Sequence, residues 1–450
     1  MDGNVVTNAP AIREALSPTA KRLWKAFGVA VLLVLTFVIM NVVVLRGEKQ
    51  LRTGDLGHDF LAFYTAGTFA RQGDFAQMYD MHAVRDFEFG VASGIGVKLG
   101  PGFMPWWNPP FAAIPFEAIS TLPYRQALTV WLGINLLAVT LAVVMLTSVV
   151  RAAGRSTDWR IWALVPALVV TSVPFALSLT HGQNTGVSLL IVTIVAMLWR
   201  TKQAFLAGVV CGLMFYKPQL GALLAVALVV RFGWKTLAGV ACTGTILLSV
   251  TLWHMPGALE AFLFKMPANL VGFQENNAYY WERHVTFKAF WRLLLQGHGT
   301  GVTAPLAVAL WTISTLLLAG GLVWLLAKRS TSEDNAITAT IVCSPLIMPF
   351  YFDYDLLLMA VPIVLYTAER LSRSDRWRFD GWLTLGWCAT AVYMIPQPHV
   401  AEATHFNGTA LLLAVCATFT LLWAHHTQSR EVKNPIIKFG QEPRSFDIAA

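Results

Sequence analysis

The sequence has few charged residues and few cysteines for its length. Only 13% of its 450 residues are Asp, Glu, Lys or Arg, roughly half of the share in ordinary soluble domains. The five cysteines all lie in apolar stretches, so neither a zinc site nor a disulfide framework fits. This composition argues against a water-soluble globule, a disordered chain and a disulfide-rich secreted module.

Apolar residues take the place of the charged ones. Hydrophobic residues make up 56% of the chain, and the mean hydropathy is +0.57. The 17 tryptophans suit a protein with two membrane–water interfaces. The net charge of +8 does not indicate a nucleic-acid partner, because basic residues occur in short groups between apolar runs, as in Lys328-Arg329. The sequence therefore predicts a polytopic protein surrounded by membrane lipid.

Apolar runs of about 20 residues, or fewer where a helix is buried among others, predict an all-α bundle of about twelve transmembrane helices. The predicted spans are 24–45, 127–150, 161–180, 184–199, 204–217, 219–231, 236–255, 303–327, 336–350, 353–368, 381–396 and 408–426. A further apolar stretch, 109–122, lies between prolines and is short for a span. We predict that it is a re-entrant or short helix that returns to the side from which it came.

The positions of the basic loops predict the orientation. If 109–122 returns, both termini and most of the 33 Lys and Arg residues face the cytoplasm. If it crosses, the basic loops face outward, unless a fused hairpin elsewhere restores the count. We predict a multi-pass plasma (inner) membrane protein with a single membrane domain over 1–426 and a polar cytoplasmic tail over 427–450. The loops predicted to face the cytoplasm are 151–160, 200–203, 231–235, 328–334 and 369–380.

Two long loops, 46–108 and 256–302, are predicted on the outer face. The first contains an apolar stripe at helical spacing, with Phe60, Phe63 and Gly67 on one side. A weaker stripe follows over 76–92. These patterns predict interfacial amphipathic helices that lie in the plane of the membrane surface.

Polar and ionisable residues collect on the same predicted outer face, where membrane proteins commonly place function. A carboxylate, a lysine, an arginine and several histidines together suit a site that activates a hydroxyl and binds a phosphate-bearing, membrane-embedded donor. The residues are not spaced as metal ligands, so we predict no metal. They are His58, Asp59, His181, Gln183, Asn184, Lys217, Gln219, Arg283, His284, Asp353 and Asp355.

Structural roles fit the same residues. The carboxylates fit helix caps, the Gln-Asn pair fits hydrogen bonding to free backbone groups at a helix start, the lysine fits snorkelling to the interface, and the Arg-His pair fits an interfacial aromatic patch. The carboxylates are Asp59, Asp353 and Asp355, and the Gln-Asn pair is Gln183 with Asn184. The lysine is Lys217, and the Arg-His pair is Arg283 with His284.

Five short motifs resemble those of glycosyltransferase family 87 and occur in that family's order within roughly 24–370. They are His58-Asp59-Phe60-Leu61-Ala62-Phe63-Tyr64-Thr65-Ala66-Gly67, Asn108-Pro109-Pro110-Phe111, Gly182-Gln183-Asn184, Lys217-Pro218-Gln219-Leu220, and Ser344-Pro345 with Asp353-Tyr354-Asp355-Leu356. The resemblance implies a type C glycosyltransferase fold with its active site at the outer face. It also implies inverting transfer of a hexose, mannose first, from a polyprenyl-phosphate donor to a lipid or glycan acceptor.

The resemblance further implies that Asp59 is the catalytic base. Matching family positions are Lys217, Gln183 with Asn184, and Asp353 with Asp355. We assign donor phosphate and sugar binding to Lys217, Arg283, Gln183, Asn184, His58 and Gln219, with Asp353, Asp355, His181 and His284 in support. One departure is that Leu346-Ile347-Met348-Pro349 follows Ser344-Pro345 where many members have a histidine, so no role of that histidine is carried over.

The chemistry that these residues suit needs no cofactor. A sugar on a lipid phosphate departs with a good leaving group, so one base and nearby cations suffice around an oxocarbenium-like transition state. The alternative function, a secondary transporter or a lipid or glycolipid flippase, predicts inverted repeats and ionisable residues near mid-membrane; we find no repeat, and the acids lie at helix ends. An inactive scaffold subunit explains the spans but not the convergent polar residues.

Overall fold

The computed structural model describes residues 57–96, 102–154, 159–276, 279–328, 330–372 and 396–433, with single positions 28, 99 and 394. Apart from these single positions, the predicted span 24–45 and nearly all of the predicted span 381–396 lie outside the described residues. The same holds for most of the loop 369–380 and for the tail after residue 433.

The described elements are all helical, which confirms the predicted all-α class. The α-helices are α1 (Phe60–Gln72), α2 (Met81–Gly94), α3 (Ile114–Ile119), α4 (Tyr124–Gly154), α5 (Trp159–Val170), α6 (Val173–His181), α7 (Thr185–Arg200), α8 (Ala204–Gly212), α9 (Pro218–Phe232), α10 (Trp234–His254), α11 (Ala258–Asn276), α12 (Phe287–Gln296), α13 (Pro305–Ala327), α14 (Glu333–Ile347), α15 (Ala360–Ser372), α16 (Gln397–Thr404) and α17 (Gly408–Lys433). The 3₁₀ helices are Phe75–Tyr79, Pro110–Ala113, Leu213–Tyr216, Trp281–Arg283 and Asp353–Met359.

Among the described residues, four helices are long and apolar enough to cross a membrane. They are Tyr124–Ala153, Trp234–His254, Pro305–Ala327 and Gly408–His425. Other predicted spans are interrupted: 161–180 consists of α5 and α6, because a new helix begins at Val173, with Ser172 as its cap and Pro174 in its first turn. The chain is thus a helical membrane protein, while the count of about twelve spans stays a prediction.

Ion pairs join the helices at one end of the bundle. At the end of α7, Arg200 donates to Asp334 at 2.7 Å, and near the end of α9, Arg231 pairs with Glu333 at 3.1 Å. Both acids lie in the first turn of α14. The 16 residues of α7 span about 24 Å, so this basic end is well separated from the end at which α7 and α9 begin.

The first loop forms a packed layer around α1. Ten of its 13 residues are buried, and Phe63 stacks on Phe116 of α3 at 5.0 Å. A Cβ on Gly67 would clash with the backbone of Phe116, so this close approach requires glycine. The prediction of one solvent-facing side is therefore wrong for α1, because α2, α3 and α4 cover its other sides, while a position in the plane of the membrane surface stays a prediction.

The stretch 109–122 forms a 3₁₀ turn followed by the six-residue α3. Before it, the hydroxyl of Tyr79 donates to the carbonyl of Asn108 at 2.8 Å. At its end, the hydroxyl of Tyr64 donates to the carbonyl of Leu122 at 3.0 Å. Both ends thus contact the first loop, and the return of this segment to the side from which it came stays a prediction.

Candidate active site

A tight turn after α6 is fastened to the start of α1. Gly182 ends α6 in the left-handed conformation, with φ of 68°. The backbone N–H of Asp59 donates to the carbonyl of His181 at 3.0 Å, and the indole of Trp131 donates to the carbonyl of Gly182 at 2.8 Å. A Cβ on Gly182 would lie 2.8 Å from the Cβ of Phe60. These contacts bring Asp59 and the residue after Gly182 side by side.

Asp59 uses its side chain in the site and not as a helix cap. It precedes α1 without any side-chain cap hydrogen bond, so the helix-cap alternative is wrong. Its Oδ2 accepts from Nε2 of Gln183 at 2.7 Å. Its Oδ1 lies 3.7 Å from Nδ1 of His58, which is too long for a hydrogen bond.

The surroundings keep Asp59 ionised. Burial raises the pKa of Asp59, but His58, His181, Arg283 and Gln183 together outweigh burial and lower it to about 2. Donors and positive charge beside a carboxylate favour its charged form. At neutral pH this side chain is therefore a carboxylate that is able to accept a proton.

Lys217 is buried rather than snorkelling, with 6% of the residue exposed. Its Nζ donates to Oε1 of Gln183 and to Oδ1 of Asp355, both at 3.2 Å. Thr185 also donates to Oδ1 of Asp355, at 3.2 Å. The snorkelling alternative is therefore wrong, and one hydrogen-bonded chain links Asp59, Gln183, Lys217 and Asp355.

A second ion pair lies beside this chain. The Nε and Nη2 atoms of Arg283 donate to the two carboxylate oxygens of Asp353 at 3.2 and 3.0 Å. The ring of Tyr354 contacts both cations, with its centroid 5.6 Å from the guanidinium carbon of Arg283 and 5.2 Å from Nζ of Lys217. Four of the five separated sequence motifs thus meet in one cluster, together with Arg283.

The cluster contains carboxylates as well as cations, so it is not a purely cationic phosphate site. Lys217 and Arg283 are each paired with a carboxylate, and Asp59 adds a third negative charge. Each cation still has donor capacity, because an ammonium has three N–H groups and a guanidinium has five. A phosphate in this cluster would therefore meet the remaining donors of two paired cations.

His284 lies one layer behind the cluster. It is 1% exposed, its Nε2 is 2.9 Å from the hydroxyl of Tyr279, and its ring centroid is 4.0 Å from that of Phe352. Burial, with the nearby charges of Lys288 and Arg283, lowers the pKa of His284 to about 3. At neutral pH it is an uncharged residue buried among aromatic rings, so the aromatic surroundings of that alternative are present, while a position at the membrane interface stays a prediction.

Three other predicted residues lie at the margins. Nδ1 of His181 is 2.9 Å from the carbonyl of Leu177, and the His181 ring is 6.0 Å from that of Tyr354. Asn184 is buried at the start of α7 without a side-chain cap hydrogen bond. Gln219 is half-buried in the first turn of α9.

The sequence reasoning missed Thr185, Tyr354 and Glu88. Thr185 directly follows one recognised motif and Tyr354 lies inside another, so their position was the available signal. Glu88 is fully buried on α2, where Oε2 accepts from the N–H of Met104 at 2.8 Å. Burial, with a smaller effect of Asp59, raises the pKa of Glu88 to about 8. Its signal was its register, four residues after the buried Val84.

An apolar cavity of about 100 Å³ adjoins the residues that follow Asp355. It lies between α5, α6, the 3₁₀ helix Asp353–Met359, α15 and α17. Its lining includes Leu168, Val173, Leu356, Leu357, Ala360 and Leu413. In the described part of the chain, no group of three or more His, Cys, Asp or Glu side chains is arranged to hold a metal ion.

The family model of glycosyltransferase family 87 matches residues 106–352, which is more than half of the chain. The matched region contains Gln183, Lys217 and Arg283 and ends immediately before Asp353, whereas Asp59 precedes it. No curated protein and no solved structure matches the chain.

Proposed function

The chain belongs to glycosyltransferase family 87, and we propose that it transfers a hexose from a polyprenyl-phosphate donor to a lipid or glycan acceptor. Its family and its apolar helices make it a membrane glycosyltransferase. Mannose as the sugar, inversion at the anomeric carbon, and a site at the outer face of the plasma membrane belong to the proposal.

The observation that carries the proposal is the position of Asp59, whose carboxylate lies beside Gln183 and Lys217. Asp59 is an ionised carboxylate with one oxygen bonded to Gln183, at the end of a hydrogen-bonded chain that includes a lysine. A general base needs an available charged oxygen within reach of the hydroxyl that it deprotonates. Asp59 would take that proton as the acceptor oxygen attacks the sugar.

Lys217 and Arg283 support the donor half of the proposal. Negative charge grows on the phosphate as the sugar–phosphate bond breaks, and fixed donors stabilise that charge. Both cations lie within about 6 Å of the ring of Tyr354, as cation–π contacts require, so they adjoin the same side chain. The adjoining apolar cavity suits the first part of a prenyl chain.

The experiment uses the full-length protein in lipid nanodiscs with a radiolabelled polyprenyl-phosphate mannose and a membrane lipid extract as acceptor. We expect transfer of label to the extract. Asp59→Asn should lower turnover by about 10²–10⁴-fold, because an amide cannot accept the proton, while donor binding is retained. Asp86→Asn, at an exposed position of the same loop, is the matched control.

Three results would contradict parts of the proposal. Near-normal turnover of Asp59→Asn would remove Asp59 as the base and leave Asp353 and Asp355 as candidates. Transfer from a glucose donor but not from the mannose donor would change the sugar. Movement of the donor lipid between leaflets without transfer would support a transporter or flippase.

A further inference from the structure

Gln183 lies between the proposed base and the lysine of the site, and its amide contacts both. Nε2 donates to Asp59 Oδ2 at 2.7 Å, and Oε1 accepts from Lys217 Nζ at 3.2 Å. The residue is 7% exposed. The opposite amide orientation would turn an NH₂ group toward an ammonium and an oxygen toward a carboxylate. The two charged neighbours therefore permit one direction of the amide.

We propose that Gln183 is a positioning residue, whose amide holds one oxygen of Asp59 so that the other receives the acceptor's proton, and that Lys217 fixes the direction of this amide. The inference rests on the proposed function, and it assigns Gln183 to the base instead of the donor. The acceptor hydroxyl oxygen bonds to the anomeric carbon while the bond from that carbon to the phosphate oxygen breaks. The electron pair leaves with the phosphate, and the hydroxyl proton passes to Asp59 Oδ1.

Backbone hydrogen bonds hold Gln183 next to Asp59 without a substrate. Gly57 N–H donates to the carbonyl of Thr180 at 2.8 Å, and Asp59 N–H to that of His181 at 3.0 Å, so the turn carrying Gln183 is fixed to the segment carrying Asp59. Oδ2 is engaged by Gln183, whereas Oδ1 has His58 at 3.7 Å. Among the described residues Oδ1 therefore accepts no hydrogen bond, and it is the oxygen left for the acceptor hydroxyl, with His58 within ion-pair distance.

Lys217 is itself held in place, which makes it a firm anchor for the amide. Its second partner, Asp355, also accepts from Thr185 at 3.2 Å. The resulting order is Thr185, Asp355, Lys217, Gln183 and Asp59, with the open oxygen at the end. Loss of the amide would free Asp59 to rotate and would remove a donor that favours its charged form.

The test measures turnover from about pH 3 to about pH 8 for Gln183→Leu and Gln183→Glu, with binding of the radiolabelled polyprenyl-phosphate mannose in parallel. The unsubstituted protein should lack an acid limb from Asp59 in this range, because the pKa of Asp59 is about 2. Gln183→Leu should lower turnover by about tenfold or more, and the acid limb should rise by about one pH unit or more. Gln183→Glu should raise the pH of the acid limb further, because a second carboxylate beside Asp59 disfavours its charged form. Donor affinity should change by less than about threefold.

Gln72→Leu, at the exposed end of α1, is the control and should change neither the turnover nor its pH dependence. Weaker donor binding with an unchanged pH profile would overturn the inference and make Gln183 a donor ligand. An unchanged profile with unchanged turnover would overturn it as well. If Gln183→Leu does not fold, Gln183→Glu carries the test, because it keeps the size and the bond to Lys217. Turnover retained in Asp59→Asn would instead refute the proposed base, so the two failures are distinguishable.

Discussion

Asp59 and Glu88 are two buried carboxyl groups with opposite protonation. Asp59 has the amide donor of Gln183 and three nearby basic side chains, and its pKa is lowered to about 2. Glu88 has a single hydrogen bond, from a backbone N–H, and burial raises its pKa to about 8. Donor number and local charge thus decide which of the two is ionised at neutral pH.

Glu88 predicts a pH dependence of stability. Because its pKa is higher in the folded protein than in the unfolded chain, its contribution is complete below about pH 4.5 and is lost as the pH rises through about 8, by at most about 1.4 kcal/mol per pH unit. Glu88→Gln keeps an oxygen for the N–H of Met104 and cannot ionise. We expect thermal unfolding of this variant to depend less on pH between about 5.5 and about 8.5 than that of the unsubstituted protein.

Glu260→Gln is the control for this measurement, because Glu260 is exposed in the first turn of α11. It should leave the pH dependence as it is. An equal pH dependence with and without Glu88 would mean that this side chain is already ionised in the folded protein, and the raised pKa would be refuted.

At this scale the sequence predicted residue types better than partners. The motifs pointed to Asp59 and Lys217, but nothing in them indicated that Gln183 would join the two. Lys217 and Asp355 are 138 positions apart, and Arg283 and Asp353 are 70 apart. Pairings over such separations depend on how helices pack, which local patterns do not encode.

Among the elements, the turn after α6 controls the site through one glycine. Gly182 has φ of 68°, and a Cβ there would lie 2.8 Å from Phe60 Cβ and 2.9 Å from Gly57 Cα. Gly182→Ala combines a left-handed conformation, costing about 1–2 kcal/mol, with displacement of the start of α1. We therefore expect lower stability together with loss of transferase turnover in a radiolabel assay.

Gly73→Ala separates the two effects. Gly73 has φ of 81° at the end of α1, and a Cβ there would have nothing within 4 Å. This variant should lose a similar conformational energy and keep its turnover per folded molecule. Equal turnover in both alanine variants would show that the turn does not position the site.

Helix positions were predictable from apolar runs. The breaks within predicted spans, and the burial of helix faces by neighbouring helices, were not. The predicted span 353–368 begins with the 3₁₀ helix Asp353–Met359, which orients Asp353 and Asp355 toward cations on other elements. For α1, a single stripe indicated one buried face. Coverage of the other faces comes from α2, α3 and α4, which contribute Phe87, Phe116 and Tyr124.

For the whole molecule, the two ends of the bundle have different chemistry. α7 and α9 begin next to Gln183 and Lys217 and end at Arg200 and Arg231, where Glu333 and Asp334 of α14 meet them. Basic loops in membrane proteins favour the cytoplasm. The site would then open on the outer face, where a lipid-linked sugar would reach it without a soluble nucleotide donor.

Cysteine labelling tests this orientation. In a cysteine-free background, single cysteines at positions 98 and 265, in the predicted outer loops, should react with a membrane-impermeant maleimide applied to intact cells. Cysteines at 155 and 373, in predicted basic loops, should react only after permeabilisation, because positive loops stay inside. Lys265 is exposed on α11, which follows the end of α10 that contacts Glu117 of α3 through His254 at 2.9 Å, on the side of the site. Labelling of 155 and 373 in intact cells would mean that 109–122 crosses the membrane, and it would move the site to the cytoplasmic face.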